Sequence, residues 1–179
     1  MSPNPTIAQV RQTLVRVFDR LDACFDRPAA ALKARPAYPG AWSIAEHLEH
    51  VTLANHFLLL TIAKGCRKAL RRAALGELPV GESDLERLAP IADPDAFPWS
   101  PPDHMVPTGG REAGELRALL RSQGRQCLEL LDALPLGAGR LCTIAMSVHE
   151  LGRLDLYQWL YFLAQHGRYH LELIGRRRG

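Results

Sequence analysis

Apolar residues recur at helical spacing in four stretches of the chain, and the last stretch is the most informative. At about 100° per residue, Trp159, Phe162, Leu163, His166, His170, Leu173 and Ile174 fall on one stripe. Two histidines, four residues apart, stand in the middle of that stripe and not at its edge. An unpartnered polar group in a core costs about 1–3 kcal/mol, so both imidazoles need partners. Histidines spaced i,i+4 on one helix face can share a metal ion. Hydrogen bonding to other core side chains is the alternative.

The earlier stretches supply the rest of the core. Asn4-Pro5 reads as a helix cap with proline at the first helical position. Ile7, Val10, Leu14, Val17, Phe18, Leu21 and Phe25 then predict a first helix over 5–26. Pro28, Pro36, Pro39 and Gly40 make residues 27–41 a connection. Ser43-Ile44-Ala45-Glu46 is a capping box that starts a second helix, with Leu48, Val51, Leu58, Leu59 and Ile62 on its face and an end near Gly65 or somewhat later. His47 and His50 both lie inside its wide apolar arc, and His56 points to the polar side. Periodicity leaves the choice between His47 and His50 as an inward ligand open.

Residues 77–110 break the pattern. Seven of the thirteen prolines lie there, together with Phe97, Trp99 and His104. So long a connection is unusual in a compact domain; it reads first as a crossover strap and second as a lid, its aromatics packed on the bundle. Ser83-Asp84-Leu85-Glu86 can cap a short helical turn within it. A third helix follows over roughly 112–134, with Leu116, Leu119, Leu120, Cys127, Leu130, Leu131 and Leu134 on its face. Residues 135–154 read as a loop containing Cys142, Met146 and His149. The fourth helix begins at Asp155, with Gln158 as capping partner, and ends near Gly175.

Four amphipathic helices with no convincing strand predict an all-α fold, a four-helix bundle forming one domain over 1–179. His50 lies early in helix two, and His166 and His170 lie late in helix four. At about 1.5 Å per residue these levels coincide only if the two helices are antiparallel. That requires an up-down-down-up bundle with a long crossover between helices two and three, which residues 77–110 provide.

Composition narrows the function without naming it. Net charge is +3, and no basic helix interleaves with stacking aromatics, so no nucleic-acid partner is expected. No run approaches the ~18 apolar residues that cross a bilayer. The four cysteines lack CxxC spacing, and no N-terminal apolar leader precedes a cleavage site, which points to free thiols in the cytoplasm. Gly109-Gly110 is a turn signal, not a phosphate loop. Arg176, Arg177 and Arg178 read as a solvated end that complements the helix dipole.

Two segments resemble the DinB/YfiT-type family of metalloenzymes: Ala41-Trp42-Ser43-Ile44-Ala45-Glu46-His47-Leu48-Glu49-His50, and the run from Leu151 to Trp159-Leu160 continuing in His166-Gly167-Arg168-Tyr169-His170-Leu171. The resemblance implies an up-down-down-up bundle whose core binds one divalent metal, zinc or nickel, through His50, His166 and His170. His47 then becomes a candidate hydrogen-bond partner of the site, or a plain core histidine. Glu46, His104 and His149 are further candidates, although capping already accounts for Glu46. The resemblance also implies an enzyme, a thiol S-transferase or hydrolase, that activates a low-molecular-weight thiol or water against a small-molecule substrate. A homodimer completes the expectation. The alternative is a non-catalytic helical module used for dimerisation, with a structural metal or none; a fourth protein ligand from the strap, such as His104 or His149, would favour it.

Overall fold

The structure is a computed structural model that describes residues 4–96, 99–148 and 150–176. It is mostly helical. Helix α1 spans Pro5–Ala23, α2 Ala29–Lys33, α3 Ile44–Ala74, α4 Ala113–Asp132 and α5 Leu156–Arg176. Short 3-10 segments occupy Cys24–Asp26, Glu86–Ala92, Asp103–Met105 and Pro135–Leu141. Strands β1 (Thr143–Met146) and β2 (Gly152–Asp155) pair antiparallel, Ile144 opposite Leu154.

The helix boundaries have local causes. The Asn4 side chain accepts the amides of Thr6 and Ile7, with Pro5 at the first helical position. At the start of α3 the Glu46 amide donates to Ser43 Oγ (3.1 Å) while the Ser43 amide donates to Glu46 Oε2 (2.7 Å). Asp155 and Gln158 repeat the device at α5: the Asp155 amide donates to Gln158 Oε1 (3.0 Å), and the Gln158 amide to Asp155 Oδ1 (2.9 Å).

The core is built from one face of each long helix. α1 contributes Val10, Leu14, Val17 and Leu21, and α4 contributes Leu116, Leu120, Cys127 and Leu131. Each fully buried leucine of this kind stabilises by about 1.5–3 kcal/mol relative to exposure. α1 and α4 lie antiparallel, for Asp22 near the end of α1 receives Arg117 and Arg121 from early α4, and Arg11 pairs with Asp132. α3 and α5 are also antiparallel: His47 meets His170, His50 meets His166, and Gly65 lies against Leu156.

One reading is sharpened and two need correction. α3 continues past Gly65 to Ala74, because this glycine is a point of close approach and not a terminator. Residues 135–154 are not a plain loop; they carry a 3-10 segment and most of a hairpin. Tyr157 braces that segment, its hydroxyl donating to the Leu134 carbonyl (2.6 Å) and accepting from the Gly139 amide (3.2 Å). The fold therefore contains a small sheet beside its helices. The strap packs on α5: Leu88 and Ile91 are buried, and Asp84 Oδ1 accepts from the Glu86 and Arg87 amides to start its 3-10 turn. Gln158 Nε2 donates to the Asp84 carbonyl (2.8 Å), and Ser83 Oγ to Asp155 Oδ2 (2.6 Å).

Candidate metal centre

The two capping boxes set the phase of the helices that carry the histidines. With α3 starting at Ile44, His47 and His50 occupy its first two turns on the side facing α5. In antiparallel packing that end of α3 meets the second half of α5, where His166 and His170 lie. All four imidazoles are buried.

Three of them converge. His50, His166 and His170 each bring one ring nitrogen to within 4.8 Å of the other two. His50 Nε2 is 3.2 Å from His166 Nε2, which is 3.2 Å from His170 Nε2. For His50 and His170 the contacts of the outer nitrogens bear on whether the inner ones keep their lone pairs. His50 Nδ1 lies 2.8 Å from the Met105 carbonyl, which only accepts, so Nδ1 carries the hydrogen and Nε2 keeps its lone pair. His170 Nδ1 lies 3.0 Å from His47 Nδ1, and with the hydrogen on His170 its Nε2 is bare too. Both lone pairs then aim at His166 Nε2, which carries at most one hydrogen.

Protonation is a poor way out of this arrangement. Burial pushes His50 below the ordinary histidine range, against a raising contribution from the Met105 carbonyl. Burial and the neighbouring His50 push His166 down to about 3. Burial, then His166, His50 and His47, hold His170 well below the ordinary value. Three neutral imidazoles with converging nitrogens are the donor set a divalent ion takes. Nitrogens 3.2 Å apart and about 2.1 Å from a common ion subtend about 100° at it, near the tetrahedral angle. The residues therefore fit a metal.

The other expected residues are placed differently from one another. His47 contacts the group directly through His170. Glu46 does not turn to the histidines; besides capping α3 it receives the Arg35 guanidinium (2.9 Å from Nε). His104 is exposed and stands edge-on to Phe57 at 4.7 Å, outside the lining of the histidine cavity. His149 lies outside the described residues.

Neither Met105 nor Glu49 stood out in the sequence, and Trp99 was expected only to pack on the bundle with the strap. Glu49 is buried and accepts from the Thr108 amide (3.1 Å), the Thr108 hydroxyl (2.8 Å) and the Gly109 amide (2.8 Å). That clasp ties the strap to α3 a few residues from the carbonyl that orients His50. A carboxylate next to His50 inside an apolar arc was the available signal. Trp42 lies 5.1 Å from the His50 ring and Trp99 5.9 Å from the His166 ring. The histidines open on a cavity of about 830 Å³. All four cysteines are buried, and burial makes two of them poor nucleophiles: it pushes Cys66 up to about 11 and Cys127 up to about 12.

Compared with known proteins, the chain matches the family model described as the DinB superfamily over residues 6–174. Searches of curated proteins and of solved structures returned no match.

Proposed function

The chain belongs to the DinB superfamily, and we propose that it is a metal-dependent enzyme. In this reading His50, His166 and His170 hold one divalent ion, zinc or nickel, and the adjoining cavity receives a small-molecule substrate. The observation that carries it is the convergence of three neutral, buried imidazole nitrogens on one point beside a cavity. When bound, such an ion supplies positive charge that lowers the pKa of a thiol or water held beside it.

The chain's own residues prepare that site. The Met105 carbonyl holds the hydrogen at His50 Nδ1, which leaves Nε2 free to ligate. His47 does the same for His170. The rings of Trp42 and Trp99 cover the histidines on two sides and limit water around them. The substrate reaches the histidines through the cavity. The reaction class is transfer of a low-molecular-weight thiol to a small electrophile, or hydrolysis.

The same proposal includes an up-down-down-up four-helix bundle as a single domain, supported by the antiparallel pairs α1/α4 and α3/α5. It further includes a homodimer in the cytoplasm with neither nucleic-acid nor membrane partners. No described helix is long and apolar enough to cross a membrane. A purely structural metal is the second reading, and a fourth protein ligand would favour it. Among the described residues the converging group has three members, and His104 is turned away.

The test is metal content and thiol-conjugating activity of the purified protein, with and without chelator. About one ion per chain is expected, with activity lost on chelation and restored on reloading. A fully folded, metal-free wild type would overturn the proposal. A His50→Ala variant should lose the ion but keep its melting temperature; unfolding on loss of the ion would assign it a structural role.

A further inference from the structure

All three tryptophans of the chain, Trp42, Trp99 and Trp159, line the one cavity that the histidines open on. They reach it from three separate elements: the segment before α3, the strap, and α5. Trp42 lies nearly parallel to the His170 ring (6.3 Å, 12°). Trp99 lies 6.3 Å from Phe162 and 5.7 Å from Tyr169. Trp159 donates its Nε1–H to the Ile144 carbonyl (3.3 Å), so its polar edge is engaged in the fold and its ring is left for contact. Met105, Met146 and Leu173 fill in between.

The charge census of this wall is as informative as its aromatics. Among the described residues no Asp, Glu, Lys or Arg lines the cavity, in a chain that carries 41 such residues (22 basic and 19 acidic). Among the described residues its polar side-chain groups, apart from the histidines, are the hydroxyls of Thr61, Ser100, Ser147, Tyr38 and Tyr169 and the indole N–H groups of the tryptophans. A charged ligand entering such a wall loses hydration and gains no counter-charge from it. A flat apolar body gains both area burial and ring contacts. A volume of about 830 Å³ lies in the range of small-molecule sites.

We infer that the cavity selects an uncharged, ring-bearing small molecule, gripped by Trp42 and Trp99, with at most one polar head directed at the histidines. This rests on the proposed function for the place where the reacting group ends up, but recognition of the ring belongs to the wall and needs no ion. Hydroxyl-bearing side chains orient the substrate, and polyanionic substrates are excluded.

The test titrates three probes of one size into the full-length protein, chelator-stripped and, in parallel, zinc-loaded. They are para-tert-butylbenzyl alcohol, para-tert-butylbenzoate and para-tert-butylbenzylammonium. Binding is followed by calorimetry and by tryptophan fluorescence. In stripped protein the alcohol should bind at least about tenfold more tightly than either ion, because only the ions lose hydration without compensation. Trp42→Ala and Trp99→Ala should each weaken it by about tenfold, and the Phe replacements should recover most of the loss. Equal or tighter binding of either ion by stripped protein would overturn the inference, as would no binding of the alcohol. So would unchanged affinity in both alanine variants. Should an alanine variant fail to fold, the three-probe comparison on wild type still decides. Alcohol binding by a protein that never takes up zinc would leave this inference standing and remove the metal proposal. Zinc uptake without preference for the alcohol would do the reverse.

Discussion

The seam between α3 and α5 has two ends that are buried to nearly the same depth and closed by opposite means. At one end Gly65 lets the helices approach. A Cβ there would fall 2.5 Å from Leu156 Cδ2 and 2.8 Å from Ile144 Cδ1. Ile62, Cys66, Leu160 and Leu163 complete an apolar contact that is satisfied by packing alone. At the other end His47, His50, His166 and His170 occupy equivalent inward positions, each less than a tenth exposed. Packing cannot satisfy them, since each imidazole brings two polar nitrogens. One helix pair thus carries an apolar core at one end and a polar one at the other. The histidine end has a donor set that could hold a divalent ion, and the apolar end has none.

The two ends should differ in their response to acid, which gives the largest expected effect. The folded chain holds His166 near a pKa of about 3 and His170 well below the ordinary 6.5. Below pH 6.5 the unfolded chain therefore binds more protons than the folded one. The stability in question is fully present above that pH and is lost as pH falls toward the folded values. The slope is about 1.4 kcal/mol per pH unit for each such group. Urea unfolding of chelator-stripped protein between about pH 7 and about pH 4.5 should show this decline. A flat profile would mean that the histidine end titrates like an exposed surface.

Next in size is overpacking of the apolar end. Gly65→Val should cost about 1–3 kcal/mol, because the added carbons must displace Leu156 and Ile144. Metal content should not change, and a parallel loss of metal would show that the two ends are not independent.

The smallest effect is expected at the Glu49 clasp. Glu49→Gln keeps the shape but turns an amide donor toward the Thr108 and Gly109 donors. The strap should loosen, the Met105 carbonyl should lose its hold on His50, and metal affinity should fall by about tenfold. Faster hydrogen exchange at the Thr108 and Gly109 amides should accompany it. Unchanged affinity together with faster exchange would separate the strap from the site.

The contrast between the ends was partly legible in the sequence. The Ser43–Glu46 and Asp155–Gln158 caps announce both helix starts, and helical periodicity places His166 and His170 inward. The levels of His50, His166 and His170 along their helices already require an antiparallel seam, and the strap is visible as a proline-rich interruption. The parts that stayed hidden depend on contacts distant in sequence. Gly65 resembles a helix end because the feature that requires a glycine there, Leu156, lies on another helix. The hairpin of Thr143–Met146 and Gly152–Asp155 has only four residues in each strand, too few for alternation to stand out. Gly109 was readable as a turn, and its φ of 71° agrees, but the hydrogen bond its amide donates to Glu49 was not readable. His47 stayed ambiguous because its role is set by His170, 123 residues away.

X-ray absorption at the edge of the bound metal tests the central claim most directly. The account predicts three imidazole nitrogens at about 2.0–2.1 Å, with the remaining coordination filled by light atoms from outside the protein. In His166→Ala that three-imidazole signature should disappear. A bound ion coordinated by cysteine sulfur or by four protein side chains would contradict the account, as would an ion whose spectrum is indifferent to His166.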